Sequence, residues 1–472
     1  MRKSTFEKTV GKKLQGGLSG SAPDVWPEIE KAVRAADIPA PESTRRRGAL
    51  KHRFFRITAA AAAVAVCAAG AWAFSYYQPS VQAHAQTIYD NGGRLSNIGV
   101  SEPARSFVDS YNGFGLELLR ETNRGNSGKN VFQSPASVYL ALGMTYNGAK
   151  GNTAAEFAKV LGSSGSLDEF NKGCAGLQNM LTGRFRLANS IWLNSPYAGS
   201  IDGGFLSRDK TYFGASVSAL NLASHGSADL INHWVKNNTN GRIDPKYRNF
   251  NSNTAMLLIN TITFKSDWQT KFDVNDTHDG TFRAASGNKT VKFMHDVRLH
   301  YIADDTLQGI LMPYDDGKTS MLILLPKKDI GSMLSKLTAS GLAEYAAEGR
   351  SSREEASLSL PRVNFSCDET LNGPLQAMGL KLAFGDGADF TGMAAKNADL
   401  GLYISKVQHM TYLAIDEKGT EAAAATTVMA SGSGGPPKNV MNVDRPFFAA
   451  IVNNGTGAVL FSGVINDPSA AG

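Results

Sequence analysis

The sequence predicts an α+β domain preceded by one transmembrane helix. Helical spacing of apolar residues is concentrated in the first part of residues 106–468, and strand patterns follow later. Helices and strands that are segregated along the chain are typical of α+β domains rather than of alternating α/β folds. An uncharged apolar run at residues 57–77 lies before this domain and is long enough to cross a bilayer.

Residues 1–56 form a basic tail. They contain 13 Lys and Arg and 6 Asp and Glu, which gives +7, so the rest of the chain sums to −1 within the total of +6. A near-neutral large domain argues against a nucleic-acid-binding protein. We therefore expect no nucleic-acid partner.

The apolar run has the features of a membrane anchor. As a helix, residues 57–77 would span about 31 Å, close to the hydrocarbon thickness of a bilayer. A basic cluster ends at Arg56 on one side, and Trp72, Tyr76 and Tyr77 lie at the other end. The positive-inside rule then predicts a cytoplasmic N-terminus and an extracytoplasmic large domain.

A cleaved signal peptide is the alternative for this segment. Ala83-His84-Ala85 has the small-x-small form of a cleavage site, and cleavage there would give a secreted protein. A charged region of more than fifty residues is too long for an ordinary signal peptide, so an uncleaved anchor is favoured. Residues 78–105 contain Pro79, Asn91-Gly92-Gly93 and Pro103, which is typical of a linker.

The large domain, residues 106–468, carries clear local patterns. Helices are predicted at residues 107–120, at 136–147 after Ser134-Pro135, and around 231–235 with an end at Asn240-Gly241. Strands are predicted at 256–264, 320–325, 357–365, 411–415, 447–452 and 459–464.

Motifs of known catalytic sites are missing from the sequence. It has no His-Glu-x-x-His, Cys-x-x-Cys or Gly-x-Ser-x-Gly. Gly317-Lys318-Thr319 resembles the end of a phosphate-binding loop, but Met312 stands where the first glycine is required. Cys174 and Cys367 could pair only if the fold brought them together, and free buried thiols are expected. The missing motifs leave open a hydrolase whose catalytic residues are scattered through the chain, and no cofactor and no metal are predicted. The prediction of no enzyme activity rests on the resemblance given below.

The most informative stretch is Asp416–Ala430. Alternate positions starting at Thr420 carry only small or uncharged side chains: Thr420, Ala422, Ala424, Thr426, Val428, Ala430 and Gly432. A strand with such a face could slide between two existing strands without burying bulk or charge. A Ser/Gly stretch ending at Pro436-Pro437 follows, which is typical of an exposed loop.

Several motifs resemble, in order, those of the serpin family, and the resemblance covers nearly all of residues 106–468. They are residues 130–137 (NVFQSPAS), 144–153 (MTYNGAKGNT), 231–241 (INHWVKNNTNG), 259–268 (INTITFKSDW), 358–361 (LSLP), 389–392 (DFTG), 444–447 (DRPF) and Gly463. Residues 417–426 resemble the reactive-loop hinge of that family. The anchor and the scarcity of cysteine are typical of a bacterial member.

This resemblance implies a serpin fold of three β-sheets and about nine helices, with an exposed reactive loop. A target protease would cleave the loop and be trapped as an acyl-enzyme while the loop inserts into the central sheet. The implied hinge comprises Glu417, Gly419, Thr420, Glu421, Ala422, Ala423, Ala424, Ala425 and Thr426, with Thr420 expected to enter the sheet first. The implied polar cluster under the opening sheet, the shutter, comprises Ser134, Ser137, Asn260 and His409. Trp268 would lie in the breach, where insertion begins.

The loop length usual in the family implies a scissile bond between Ser433 and Gly434. Counting back from Pro446 gives Gly435 instead. Because residues 430–435 are small and uncharged, they suit a shallow specificity pocket. The expected target is an elastase-like or subtilisin-like serine protease, with a cysteine protease as an alternative.

Two other functions remain open from the sequence. One is a non-inhibitory serpin that serves as a binding module. The small, uncharged face of the hinge argues against it. The other is a membrane signalling protein whose basic tail contacts a regulator, with the outer domain as sensor.

Overall fold

The computed structural model describes residues 86–89, 101–250, 254, 256–397, 400–420 and 438–470. The chain divides into two units, Met1–Gln78 and Pro79–Gly472, and all described residues belong to the second. Within these ranges, no helix combines the length and the apolar character needed to cross a bilayer. The predicted membrane segment, residues 57–77, lies outside the described residues.

Nine α-helices occur in the described ranges, in agreement with the predicted α+β class. They are α1 Arg105–Gly125, α2 Pro135–Tyr146, α3 Gly151–Leu161, α4 Leu167–Met180, α5 Gly203–Phe213, α6 Ser227–Asn238, α7 Ile330–Lys336, α8 Ala339–Ser351 and α9 Asn372–Met378.

Helices and strands are interleaved along the chain, although most strands come after the first six helices. They are β1 Gln86–Tyr89, β2 Val131–Gln133, β3 Phe185–Asn194, β4 Ser216–Leu220, β5 Met256–Phe264, β6 Ser266–Asp267, β7 Thr277–Ala284, β8 Gly287–Ala303, β9 Leu307–Pro313, β10 Thr319–Pro326, β11 Glu355–Pro361, β12 Val363–Thr370, β13 Ile404–Ile415, β14 Gly419–Thr420, β15 Asn439–Asn442, β16 Phe447–Asn453 and β17 Val459–Ile465.

The central sheet has eight strands in the order β1-β4-β3-β5-β13-β14-β6, with β12 on the other side of β13. Strand β5 is antiparallel to β3 and parallel to β13. We call the line along which β5 and β13 pair the seam. Strand β1 lies inside the predicted linker, pairs with β4 and forms one edge of this sheet.

The other nine strands form the order β15-β11-β8-β9-β10-β16-β17-β2, with β7 paired to β8. The long strand β8 belongs to two parts of this sheet: β7 and β11 pair with its first and middle residues, and β9 pairs with Tyr301–Ala303. The resemblance implied three sheets. The described strands form two, and the larger of these has two parts that are joined through β8.

One predicted strand is wrong. Residues 357–365 form two strands in different sheets, β11 and β12, with a break at Arg362. The Arg362 N–H donates to the carbonyl of Lys292 on β8 at 2.8 Å, so the backbone leaves one sheet there and enters the other. Residues 358–361 before the break are all buried, whereas buried and exposed residues alternate from Val363 to Asp368 after it. The single predicted strand overlooks this change of pattern.

Helix α2 lies in the core between the two large sheets. Its start follows from the sequence, since Ser134 caps the helix by accepting the Ser137 N–H and Pro135 occupies the first turn. Residues 135–145 are all buried, and the helix packs against β5 of the central sheet and β17 of the other sheet. Its N-terminus therefore points at the seam.

Helix α6 covers the opposite face of the central sheet. Ile231, Val235 and Ile243 pack with Ile259 of β5 and Met410 of β13 in one apolar cluster. The predicted end of the helix is confirmed, because Asn240 and Gly241 both have left-handed backbone conformations, with φ of 52° and 75°. The segment after this turn continues over the seam.

Candidate functional site

The seam ends in a short strand that lies between β13 and β6. The chain reverses at Asp416–Lys418, and Gly419 and Thr420 then form β14, which is antiparallel to both β13 and β6. The Asp416 carboxylate accepts the N–H groups of Lys418 and Gly419 at 2.9 and 3.2 Å, which stabilises the turn. Strand β14 is therefore directed into the seam between β5 and β13.

Gly419 is required by a close backbone approach. A Cβ atom at this position would lie 2.1 Å from the Ser266 carbonyl oxygen and 2.7 Å from the Asp267 Cα. Both are main-chain atoms of β6 and cannot rotate away. Only glycine allows β14 to lie this close to β6.

Thr420 is already a buried member of the sheet. Its side chain is 2% exposed, and its hydroxyl oxygen lies 2.6 Å from the Tyr314 hydroxyl oxygen. We expected Thr420 to be the first side chain to enter the sheet on insertion. In the structure it is in place beforehand, so the residues that would still have to enter begin after it.

Trp268 and Tyr314 form the floor under the hinge. Their rings stack with centroids 4.6 Å apart, and both are buried. The Trp268 indole N–H donates to the Asp416 carbonyl at 2.9 Å, and its backbone N–H donates to the Lys418 carbonyl at 2.7 Å. Burial raises the pKa of Tyr314 well above its usual value, so its hydroxyl stays protonated and can donate to Thr420.

Glu417 fixes the base of the hinge rather than facing the seam. Its carboxylate accepts hydrogen bonds from Arg362 Nε at 2.8 Å and from the Thr277 hydroxyl at 2.5 Å, and it forms an ion pair with Arg362 at 2.6 Å. Burial on its own raises the pKa of Glu417, but the hydrogen bonds from Thr277 and Arg362 outweigh it and hold the pKa below its usual value. Glu417 is therefore ionised at neutral pH.

The remaining reactive-loop residues lie outside the described part of the chain. These are the hinge residues Glu421, Ala422, Ala423, Ala424, Ala425 and Thr426, and the predicted scissile residues Ser433 and Gly434.

A buried polar cluster lies halfway along the seam, as the resemblance implied. Asn260 of β5 and His409 of β13 are directly paired across it. The side-chain oxygen Oδ1 of Asn260 accepts a hydrogen bond from His409 Nδ1 at 3.0 Å. The same oxygen accepts the Ser137 hydroxyl. The Asn260 amide donates to the Ser137 carbonyl at 2.6 Å and to the side-chain oxygen of Asn189 on β3. One side chain thus joins α2 and three strands.

His409 connects the seam to the start of α2. Its Nε2 accepts the Ser134 N–H at 2.9 Å. Since a backbone N–H can only donate, Nε2 carries no proton and Nδ1 is the protonated nitrogen. Complete burial lowers the pKa of His409 from 6.5 to about 3. The imidazole is therefore neutral at physiological pH and has a structural role rather than a catalytic one.

Three residues of this arrangement were not predicted from the sequence: Tyr314, Arg362 and Asn189. Each is more than 50 residues away in sequence from its partner Thr420, Glu417 or Asn260. Cys174 and Cys367 are both free and buried, as expected. Across the described ranges, no group of three or more His, Cys, Asp and Glu could hold a metal ion.

A family model described as Serpin (serine protease inhibitor) matches residues 109–468. The chain belongs to the serpin family. Leukocyte elastase inhibitor A of Mus musculus is 33% identical over 376 residues, which is 75% of this chain and 97% of the relative. A serpin-like protein of Thermococcus kodakarensis is 31% identical and covers 76% of this chain and 85% of its own length.

Solved serpin structures agree with this fold. The crystal structure of the thermophilic serpin tengpin in the native state matches with a TM-score of 0.74 and 28% identity, covering 81% of this chain and 100% of tengpin. In this chain, Trp268 and Thr420 lie close together at the hinge. Ser134, Ser137, Asn260 and His409 come together at the seam.

Proposed function

We propose that this serpin inhibits a serine protease by loop cleavage, acyl-enzyme trapping and insertion of the cleaved loop into the central sheet. The observation that carries the proposal is the position of β14. It enters the seam from one end, antiparallel to β13 and β6. A continuation of β14 would pair antiparallel with both β5 and β13.

The sequence after Thr420 suits that path. If the strand continued with a period of two, Ala422, Ala424 and Thr426 would share the face on which Thr420 is buried. None of these side chains is charged or bulky. Insertion would have to separate Asn260 from His409, whose hydrogen bond crosses the seam.

The chemical step belongs to the protease. Its serine oxygen attacks the Ser433 carbonyl, the bond to the Gly434 nitrogen breaks, and the serine proton is passed to the new amino terminus. The loop up to Ser433 remains as an ester on the protease. Insertion then competes with hydrolysis of that ester, and trapping requires insertion to be faster.

The proposed target has a shallow specificity pocket, as in elastase or subtilisin. The support is the run of small residues at 430–435. Relatives named leukocyte elastase inhibitor, from Mus musculus and Homo sapiens, are 33% and 31% identical.

The first experiment is a search for SDS-stable covalent complexes. The intact chain is incubated with elastase, subtilisin, trypsin, chymotrypsin and a papain-like cysteine protease, and complexes are resolved on denaturing gels. We expect a stable complex with elastase or subtilisin. Cleavage by every protease without any complex would contradict inhibition and favour a non-inhibitory binding module.

A matched pair of variants tests insertion. Ala424→Arg places a charge on the inserting face, and burying an unpaired charge is strongly unfavourable, so we expect cleavage without trapping. Ala425→Arg places the same charge on the opposite face and should trap nearly as well as wild type. Equal trapping by both variants would contradict insertion along this path.

The same proposal includes a membrane anchor at residues 57–77 with a cytoplasmic N-terminus. Its support is the basic cluster before the apolar run, together with the near-neutral domain after it. Protease added to intact cells should digest the large domain and spare a tagged N-terminus. Protection of the large domain would refute this topology. A soluble form that begins at Gln86 would indicate a cleaved signal instead.

A further inference from the structure

A concave site lies on the α6 side of the central sheet, apart from the hinge and the polar cluster of the seam. It has a volume of about 380 Å³ and is lined by Arg184, Arg186, Arg242 and Lys265, with Thr239, Asn240 and Thr263 between them. No carboxylate lines this site among the described residues. Its lining is therefore rich in hydrogen-bond donors and positive charge.

The sheet itself brings three of these cations together. Arg186 on β3 is paired with Thr263 on β5, and the Lys265 N–H donates to the Arg184 carbonyl at 3.1 Å. Like charges in such neighbouring positions destabilise a sheet. Arg184 forms an exposed ion pair with Asp315 at 3.2 Å. Within the described part of the chain, Arg186 and Lys265 have no carboxylate at ion-pair distance.

Arg242 extends the site across the seam. It follows the turn that ends α6, and its guanidinium lies 5.9 Å from the centre of the Tyr412 ring on β13. Arg184, Arg186 and Lys265 belong to the β3–β5 side. The site thus draws its cations from both sides of the line along which the sheet would open.

We propose that this site binds a compact polyvalent oxyanion, such as a di- or triphosphate group, and that it prefers the closed sheet. Three guanidinium groups offer paired N–H donors that match phosphate oxygens, and bound phosphate removes the repulsion between the cations. The preference for the closed sheet rests on the proposed loop insertion. A new strand would move Tyr412 away from β5 by about 4.8 Å, one strand spacing, and would draw Arg242 away from Lys265.

Binding is tested on the intact native chain with inorganic triphosphate by calorimetry, against sodium chloride of equal ionic strength. We expect saturable binding that the Arg186→Gln/Lys265→Gln double variant weakens at least tenfold. The control is Lys327→Gln/Lys328→Gln, which removes two exposed lysines from the segment between β10 and α7. The proposed site would be contradicted if both double variants bound triphosphate with equal affinity. It would also be contradicted if triphosphate gave no more binding heat than sodium chloride.

The preference for the closed sheet has its own measurement. Affinity for triphosphate is compared between the native chain and the chain cleaved in its reactive loop. We expect at least tenfold weaker binding after cleavage. Equal affinity would overturn the coupling, whereas loss of protease trapping with intact triphosphate binding would count against the proposed inhibition and not against the site.

Discussion

The hydroxyl groups of Thr420 and Tyr314 lie 2.6 Å apart inside the central sheet. One residue belongs to the hinge and the other follows directly after β9. Their contact holds the first residue after Gly419 inside the central sheet. The first prediction concerns this contact.

Replacing Tyr314 by Phe should destabilise the native hinge. The variant leaves the buried Thr420 hydroxyl without its partner, which costs about 1–3 kcal/mol. Thermal denaturation of the native chain should show a lower midpoint. The double variant Tyr314→Phe/Thr420→Val removes both polar groups and should recover most of the loss. If the double variant is as unstable as the sum of the single variants, the hydrogen bond is not the cause.

Replacing Gly419 by Ala should displace β14 from the sheet. The added Cβ would meet the Ser266 carbonyl oxygen at 2.1 Å, which is too close for two backbone segments to tolerate without moving. We expect faster proteolysis at residues 416–420 and a lower melting temperature. Gly373→Ala is the control, because a Cβ there meets nothing within 4 Å. Equal behaviour of the two variants would contradict the close approach.

His409 should make the closed sheet sensitive to acid. Its pKa is lowered from 6.5 to about 3 in the folded protein, so the unfolded state binds more protons between these values. Stability from this group is complete above pH 6.5 and falls by about 1.4 kcal/mol per pH unit as the pH decreases toward 3. His409→Gln should reduce the slope of unfolding free energy against pH in this window.

The exposed residue His225 provides the control for this titration. His225→Gln makes the same substitution at an exposed position, and His409→Gln should lower the slope more than this variant does. An unchanged slope in His409→Gln would mean that acid acts on the protein through other groups.

The scissile bond predicts a defined product. Mass spectrometry of the C-terminal peptide released by elastase or subtilisin should show a new N-terminus at Gly434. Ser433→Arg should shift trapping toward trypsin, whose pocket binds a cationic side chain, and lower it for elastase. Efficient trapping of trypsin by the wild-type chain, with cleavage elsewhere, would overturn the assignment.

The sequence predicts features that depend on local chemistry. The α2 start follows from Ser134-Pro135, the end of α6 from Asn240-Gly241, and strand β5 from its apolar pattern. The break at Arg362 was not predicted, because apolar residues occur on both sides of it, at Leu358, Leu360, Val363 and Phe365, and were interpreted as one strand. What separates them is a hydrogen bond to Lys292 on β8, and such long-range pairing leaves no local signal.

The candidate functional site also contains residues that were predicted from the sequence and residues that were not. The resemblance supplied Ser134, Ser137, Asn260, His409 and Trp268. It did not supply Asn189, which contacts Asn260, or Tyr314 and Arg362, which hold the hinge in place. Asn189 reaches Asn260 because β3 and β5 are paired in one register. Tyr314 reaches Thr420 across 106 positions of sequence. These partners are set by how strands align, which spacing and composition along the chain do not encode.

The pairing of β5 with β13 also has a consequence for synthesis. About 140 residues separate the two strands, so their pairing closes a long loop and is slow to form. If the loop inserts as proposed, it would leave the ribosome directly after β13 and compete with β13 for the same place beside β5. The closed sheet would then form only when β13 pairs with β5 first. A substitution that slows the pairing of β13 with β5, even one far from the loop, would therefore yield newly made protein whose loop is already inserted. Such protein could not trap a protease.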